Sequence, residues 1–125
     1  MKLEGETGPY IQYAYARIHS ILEKNEHHSI KPHLDLLKEK EEGELVKVLA
    51  NFPELASKAS AELRPHLIAG YAYSLAQKFN EYYHAHQVLK AEDKIRNARI
   101  ALIQAVAQVL KNGLNLLGIE VLEKM

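Results

Sequence analysis

The sequence contains no cysteine, no excess of either charge and no long apolar run. Without cysteine, a disulfide framework and a cysteine-ligated zinc site are both excluded. The 16 Lys and Arg residues balance 16 Asp and Glu residues, so no strong positive field would attract nucleic acid over a distance. No apolar run could cross a membrane, and the N-terminal residues lack the apolar segment of a signal peptide. A cytoplasmic protein without a membrane partner is therefore expected.

Helical periodicity extends over the whole chain. The 125 residues suffice for one domain with one hydrophobic core. Neither an alternating, β-branched strand segment nor an internal repeat is present. We therefore predict an all-α, single-domain helical bundle over residues 1–125, with Gly118 as a helix cap. Predicted helices cover 9–24, 44–51, 53–60, 65–89 and 92–117, the last interrupted at 112–113, while 25–32 and the charged stretch 38–44 are predicted as a loop and a solvated turn.

Residues 5–17, with the sequence GETGPYIQYAYAR, form the most informative segment. Thr-Gly-Pro at 7–9 is typical of a helix start. At roughly 100° per residue, the predicted core stripe contains Ile11, Tyr15, Ile18 and Leu22. A second stripe, more than a quarter turn away, contains Tyr10, Tyr13 and Arg17. Two phenol rings and a guanidinium outside the core suit unstacked bases and a phosphate, although spacing alone favours their covering a neighbouring helix.

A second informative segment lies in the long predicted helix 65–89. An i+4 ridge predicts core packing for Leu67, Tyr71, Leu75 and Phe79. Asn80, which is a poor helix former in a mid-helix position, is predicted to form a hydrogen bond with another helix or a loop carbonyl.

No motif in the sequence predicts catalysis or metal binding. A glycine-rich phosphate loop and a nucleophile elbow are both absent. On a helix, His84 and His86 would point about 160° apart, so they could not ligate one ion together. The other candidate group, His27, His28 and His33, falls in the polar region around the first predicted loop. We expect neither a metal nor a cofactor.

Three segments together resemble the DALR anticodon-binding domain of arginyl-tRNA synthetases. GETGPYIQYAYAR is similar to the family's G-x-T-G-P-Y-x-Q-Y-A-H-x-R, with Tyr15 at the histidine position. LAQKFNEYY at 75–83 is similar to L-A-x-x-F-N-x-F-Y, with Tyr82 at the second phenylalanine position. Residues 99–125 are similar to the closing pattern R-x-x-L…A…VL-x-x-G-L-x-L-L-G-I…P-E-x-M, with Leu122 at the proline position. The resemblance covers essentially the whole chain.

The resemblance implies a domain that binds the anticodon loop of arginine tRNA. Tyr10 and Tyr13 would stack on or pack against loop bases, Arg17 would pair with a phosphate or a base edge, and Met125 would lie against the same loop. Tyr83 would be either another aromatic near the RNA or a buried tyrosine with a satisfied hydroxyl. The HIGH-type and KMSKS-type motifs and the alternating strand–helix pattern of a nucleotide-binding domain are absent. The chain is therefore not expected to be an enzyme by itself; the synthetase's catalytic domain is a further candidate partner, and DNA is not.

Two alternatives remain open at this point. The chain could be a free-standing DALR-like accessory protein, or a structural interaction module that has kept the fold but lost RNA binding. Its balanced charge predicts weak binding alone with a shallow salt dependence. Besides Arg17, the side chains predicted to contact phosphates are the basic cluster Lys90, Lys94, Arg96 and Arg99.

Overall fold

The computed structural model describes residues 7–25 and 33–121. His27, His28, Leu122 and Met125 lie outside these ranges. Within them the chain forms five α-helices and one short 3-10 turn, and no strand. The helices are α1 (Thr7–Glu23), α2 (Lys40–Ala50), α3 (Phe52–Ala61), α4 (Pro65–Ala85) and α5 (Asp93–Leu116), and the 3-10 turn (Leu34–Leu36) precedes α2. The predicted all-α helical bundle is confirmed.

The three longest helices form the centre of the bundle. Helices α1, α4 and α5 each pack against the other two, while α2 and α3 both pack on α4 and α2 also contacts α5. Apolar positions at helical spacing face inward because burying them removes their surface from water. The fully buried residues at this centre include Ile11, Ile18, Leu75, Phe79, Ile103 and Leu110. None of the described helices has both the length and the apolar character needed to cross a bilayer.

The predicted stripes along α1 and α4 agree well with this core. Ile11 and Ile18 are fully buried and Tyr15 is buried, while Leu22 packs on the core from its edge. In α4 the predicted ridge is buried at Leu75 and Phe79 and half-buried at its N-terminal end. Both stripes were read from apolar spacing alone, which is a reliable guide where one face of a helix is covered.

The charged stretch 38–44 is not the predicted solvated turn. Lys40 begins α2, and Gly43 lies inside that helix. Glu39 and Glu42 form a capping box, in which each side chain accepts a hydrogen bond from the other residue's backbone N–H, at 3.0 Å for the bond from Glu39 N to Glu42 Oε1. This reciprocal capping satisfies backbone donors that a helix start would otherwise leave free. The high charge of this stretch suggested a turn rather than a helix start, because the residues that cap a helix are themselves polar.

One predicted helix end and one predicted helix interruption also differ from the structure. Helix α4 ends at Ala85 rather than at 89, because His86 adopts an extended backbone conformation and the following turn buries Val88. Helix α5 continues without interruption through Asn112 and Gly113. Gly113 is buried against Ala72 and Ile68 of α4, so its contact with the neighbouring helix outweighs its weak helix propensity.

Two helices end in the same backbone motif. After α5, Ile119 N donates to Leu114 O at 2.8 Å while Gly118 adopts a φ of 77°, which is the Schellman arrangement. The predicted cap at Gly118 is therefore present. After α3 the same bond pattern recurs, but Leu63 occupies the left-handed position with a φ of 53°.

Candidate nucleic-acid interface

Tyr13 lies on the open side of α1. Its side chain is 54% exposed, although tyrosine rings usually bury much of their area. The flanking stripe members Tyr10 and Arg17 lie three and four residues away, which places all three on one side of the helix. An exposed ring at this position is available for stacking on a base.

Tyr10 and Arg17 both bind Asn80 of α4. The Asn80 side chain donates from Nδ2 to Tyr10 Oη at 3.0 Å and accepts at Oδ1 from Arg17 Nη1 at 3.2 Å. The Tyr10 ring also packs on Tyr73, with the two ring centroids 4.9 Å apart. The hydrogen bond predicted for Asn80 with another helix is therefore present, and it connects two residues of the second stripe.

Arg17 also lies over the ring of Tyr83. The distance from Arg17 Cζ to the ring centroid is 5.1 Å, within the range of a cation–π contact. On its own helix, Tyr83 stacks on buried Phe79 with the centroids 5.8 Å apart. Tyr83 is half-buried. Within the second stripe, Tyr10 and Arg17 therefore pack on the neighbouring helix α4, as the packing interpretation predicts. Tyr13 remains exposed, as the RNA-binding interpretation requires.

The segment after α5 returns to α1 beside the stripe. Gln12 Nε2 donates to Glu120 O at 3.0 Å. This bond holds the last described residues next to the turn of α1 that carries Tyr13. Of the predicted site residues, Tyr10 and Arg17 meet at Asn80 and Tyr83 lies under Arg17, while Met125 lies outside the described residues. Their contact with RNA stays a prediction.

A buried polar cluster between α2, α4 and α5 was missed by sequence reasoning. Glu42 is completely buried, and its Oε2 accepts from Tyr82 Oη at 2.5 Å and from Arg99 Nε at 2.8 Å. Arg99 Nη1 also donates to Gln87 O at 2.6 Å. Burial, together with the bond to Glu42 and its negative charge, raises the pKa of the Tyr82 phenol. Only Tyr82 could have indicated this cluster from the sequence, because it places a hydroxyl group, which needs a hydrogen-bond partner, where the family pattern has phenylalanine.

Two residues of the basic cluster are poorly placed for the predicted contact with phosphate. Arg96 is only 6% exposed, and its Nη1 donates to Asp93 Oδ1 at 3.0 Å. Arg99 is occupied by Glu42 as described above. Both guanidinium groups are engaged by carboxylates of the protein itself, while Lys90 and Lys94 are exposed. Counting charges along the sequence could not separate the two sides of the helix.

His86 contacts Glu41 of α2 rather than His84. Its Nε2 lies 3.1 Å from Glu41 Oε1, and the potential ligand atoms of Glu39, Glu41 and His86 lie within 4.8 Å of one another. A backbone hydrogen bond and the bond with His86 lower the pKa of Glu41. Spacing along α4 could not reveal this grouping, because the carboxylates belong to another helix.

Comparison with known proteins gives a consistent result. The family model described as "DALR anticodon binding domain" matches residues 11–125. The arginine–tRNA ligase of Clostridium botulinum is 47% identical over 126 residues, which cover 100% of this chain and 22% of that protein. The enzyme of Pyrococcus furiosus is 45% identical over 134 residues, covering 100% of this chain and 21% of that protein. The chain thus spans about a fifth of the length of the curated relatives it matches.

Solved structures agree with these sequence matches. The arginyl-tRNA synthetase of Thermus thermophilus superposes with a TM-score of 0.87 at 39% identity, over 99% of this chain and 22% of that chain. The arginyl-tRNA synthetase of Plasmodium falciparum gives a TM-score of 0.78 at 27% identity, over 98% and 22% of the two chains.

Proposed function

Because the chain belongs to the DALR anticodon-binding domain family, we propose that it binds the anticodon stem-loop of arginine tRNA and thereby supports arginylation. The observation that carries this proposal is the exposed ring of Tyr13 beside the fixed side chains of Tyr10 and Arg17. Binding through unpaired loop bases suits such a surface, since paired A-form RNA hides its base edges.

Each residue of the interface has a proposed part in binding. The Tyr13 ring stacks on a splayed-out loop base, and Tyr10 packs against the same loop. Arg17 contacts a phosphate or a base edge while Tyr83 supports it from behind. Met125 is proposed to lie against the loop, a role that rests on the resemblance alone.

Recognition, rather than chemistry, is the proposed role of this chain. Its match covers about a fifth of each arginine–tRNA ligase, and the sequence contains no nucleotide-binding motif. The proposed partners are arginine tRNA and the catalytic part of such a ligase, and the proposed location, that of translation, is the cytoplasm. We expect no arginine-dependent exchange of pyrophosphate into ATP by the chain alone.

A titration with labelled anticodon stem-loops tests the proposal. Loops from arginine tRNA and from a non-cognate tRNA are compared by fluorescence anisotropy at low and moderate salt. The cognate loop should bind more tightly, with log K falling against log salt by a slope of only about two to four, because the chain neutralises few phosphates. Equal affinity for both loops, or no binding at either salt concentration, would contradict the proposal.

A structural interaction module is the second candidate function. The packing of Tyr10 and Arg17 on α4 favours it, because those side chains already have protein partners. Tyr13, in contrast, is 54% exposed, so about half of its surface has no protein partner among the described residues. The titration therefore separates the candidates, since a purely structural module gives no preference between the loops.

A further inference from the structure

We propose that Asn80 is a positioning residue for RNA recognition. Its side-chain amide holds the Arg17 guanidinium and leaves the Tyr10 phenol proton free to donate to an acceptor atom on an unpaired base. This inference rests on the proposed function and specifies how one part of the interface recognises RNA.

The orientation of the Asn80 amide follows from the chemistry of its partners. An arginine guanidinium has hydrogen-bond donors only. The amide group toward Arg17 Nη1, at 3.2 Å, must therefore be the oxygen. The amide nitrogen then faces Tyr10 Oη at 3.0 Å. Exchanging the oxygen and nitrogen would bring two donors together at Arg17, so the assignment does not depend on seeing hydrogens.

This orientation makes Tyr10 a hydrogen-bond donor toward its surroundings. The phenol oxygen accepts from Asn80 Nδ2, so the phenol proton is not used in that bond. Within residues 7–25 and 33–121, Asn80 is the only hydrogen-bond partner of that hydroxyl. Tyr10 is half-buried at the edge of the core, and its ring contacts Tyr73 with the two ring planes tilted by 42°. A carbonyl oxygen or ring nitrogen of a loop base is the complementary group.

Arg17 is restrained by the same amide. Its Nη1 binds Asn80, and its Cζ lies over the ring of Tyr83. A guanidinium held on two sides loses less side-chain entropy on binding than a free one. Asn80 itself lowers helix propensity in the middle of α4. Its two bonds to α1 therefore give this unfavourable residue a specific role in arranging the interface.

Exchanging Asn80 for aspartate tests the donor assignment. Asn80→Asp keeps an acceptor for Arg17 but removes the donor, so the Tyr10 hydroxyl must turn inward and donate to the carboxylate. Affinity for the arginine stem-loop should then fall about twofold to tenfold, the usual worth of one hydrogen bond. Tyr10→Phe should cause a similar loss. The double variant should bind no worse than either single variant, because both changes remove the same bond.

Gln77→Glu provides the matched control for charge. Gln77 is exposed on α4, one helical turn before Asn80. The Gln77→Glu substitution adds the same negative charge as Asn80→Asp near the interface, but Gln77 forms no described hydrogen bond with Tyr10 or Arg17. Its affinity should remain close to that of the parent chain, and urea unfolding should confirm that all variants are folded. A loss in Gln77→Glu equal to that in Asn80→Asp would overturn the proposal, because charge repulsion alone would explain both.

Stem-loops that lack a single loop base test the RNA side of the contact. Removing the base that Tyr10 contacts should weaken binding to the parent chain but not further weaken binding to Tyr10→Phe. This arm works even if Asn80→Asp fails to fold. A Tyr10-dependent loss that is the same for every abasic loop would place the contact on the backbone and overturn the inference.

The two proposals fail in different ways. Additive losses in the double variant, or parent-like affinity in Asn80→Asp, would overturn the role of Asn80 while arginine loops still bound preferentially. If the parent chain binds no stem-loop, the proposed function fails and the role of Asn80 fails with it.

Discussion

Arg99 and Glu42 form an ion pair between α5 and α2, with Arg99 Nε 2.8 Å from Glu42 Oε2. The side chains are 13% and 0% exposed, and the Tyr82 hydroxyl donates to the same oxygen. Removing a charge from water is costly unless hydrogen-bond partners replace the lost hydration. Glu42 has these partners and also contributes to the capping box of α2. The cluster thereby ties the start of α2 to the core helices.

Replacing Arg99 by leucine should reduce the free energy of unfolding by about 3–5 kcal/mol, because Glu42 would be left buried without its counter-charge. Urea denaturation measures the loss. Arg64→Leu is the control, since Arg64 pairs with Glu62 at 3.4 Å with both side chains largely exposed, and its loss should be about 0–1 kcal/mol. Similar values for the two variants would show that the buried pair contributes no more than a surface one.

Alkaline pH should destabilise the domain through its buried tyrosines. Burial raises the pKa of Tyr71, whose hydroxyl donates to Val48 O, to about 12, and the pKa of Tyr82 is also raised. Because the fold favours the neutral phenols, their contribution is complete below the unfolded value of about 10 and is lost as pH rises through the folded values. Urea unfolding above pH 10 should show this decline. It should be shallower in Tyr71→Phe, whereas an unchanged decline would exclude Tyr71 as a cause.

Tyr13 and Leu75 should respond to alanine in opposite ways. Tyr13→Ala should weaken anticodon-loop binding by about 1–3 kcal/mol, the value of one base–aromatic stack, with little change in melting temperature. Leu75→Ala should instead destabilise the fold by about 2–5 kcal/mol, because it leaves a cavity at a fully buried position. Thermal melts and stem-loop titrations of both variants provide the comparison. If loop binding by Tyr13→Ala follows only its folded fraction, the ring serves packing.

Lys94 and Arg96 should also differ, although both are basic and lie two residues apart. Lys94→Glu should weaken binding of cognate and non-cognate tRNA alike, because an exposed cation contacts phosphate without reading sequence. Arg96→Glu should mainly destabilise the fold, since it places a second carboxylate beside Asp93 at a position that is 6% exposed. Urea unfolding and salt-dependent titration distinguish the two effects. Equal loss of RNA binding per folded molecule would restore Arg96 as a phosphate contact.

Replacing Leu63 by glycine should stabilise the fold. Its φ of 53° is unfavourable for a residue with a Cβ atom, and its side chain is 87% exposed, so little packing would be lost. Leu63→Gly should raise the free energy of unfolding by up to about 1 kcal/mol. Gly118→Ala is the reciprocal variant, because a Cβ there meets no atom within 4 Å and only the backbone conformation opposes it. Thermal melts should therefore shift in opposite directions.

The sequence predicts the fold class and the core stripes because apolar spacing directly reflects which helix face is covered. It also indicates a partner for Asn80, since an amide in mid-helix needs one. It could not identify that partner, because Tyr10 and Arg17 lie 70 and 63 residues away. The burial of Glu42 and Arg96 was hidden for a related reason. Charged residues are normally exposed, and only the packing of the helices in three dimensions shows which of them are not.

The interface exists only when α1 and α4 are packed together, because Asn80 of α4 binds Tyr10 and Arg17 of α1. An unfolded chain therefore cannot present it, and any RNA that binds it must favour the folded state by mass action. At saturating concentrations such RNA should slow amide hydrogen exchange throughout α1, α4 and α5, and it should slow proteolysis at sites far from the contact. For this domain, tRNA would be a stabiliser of the whole bundle as well as a ligand of one face.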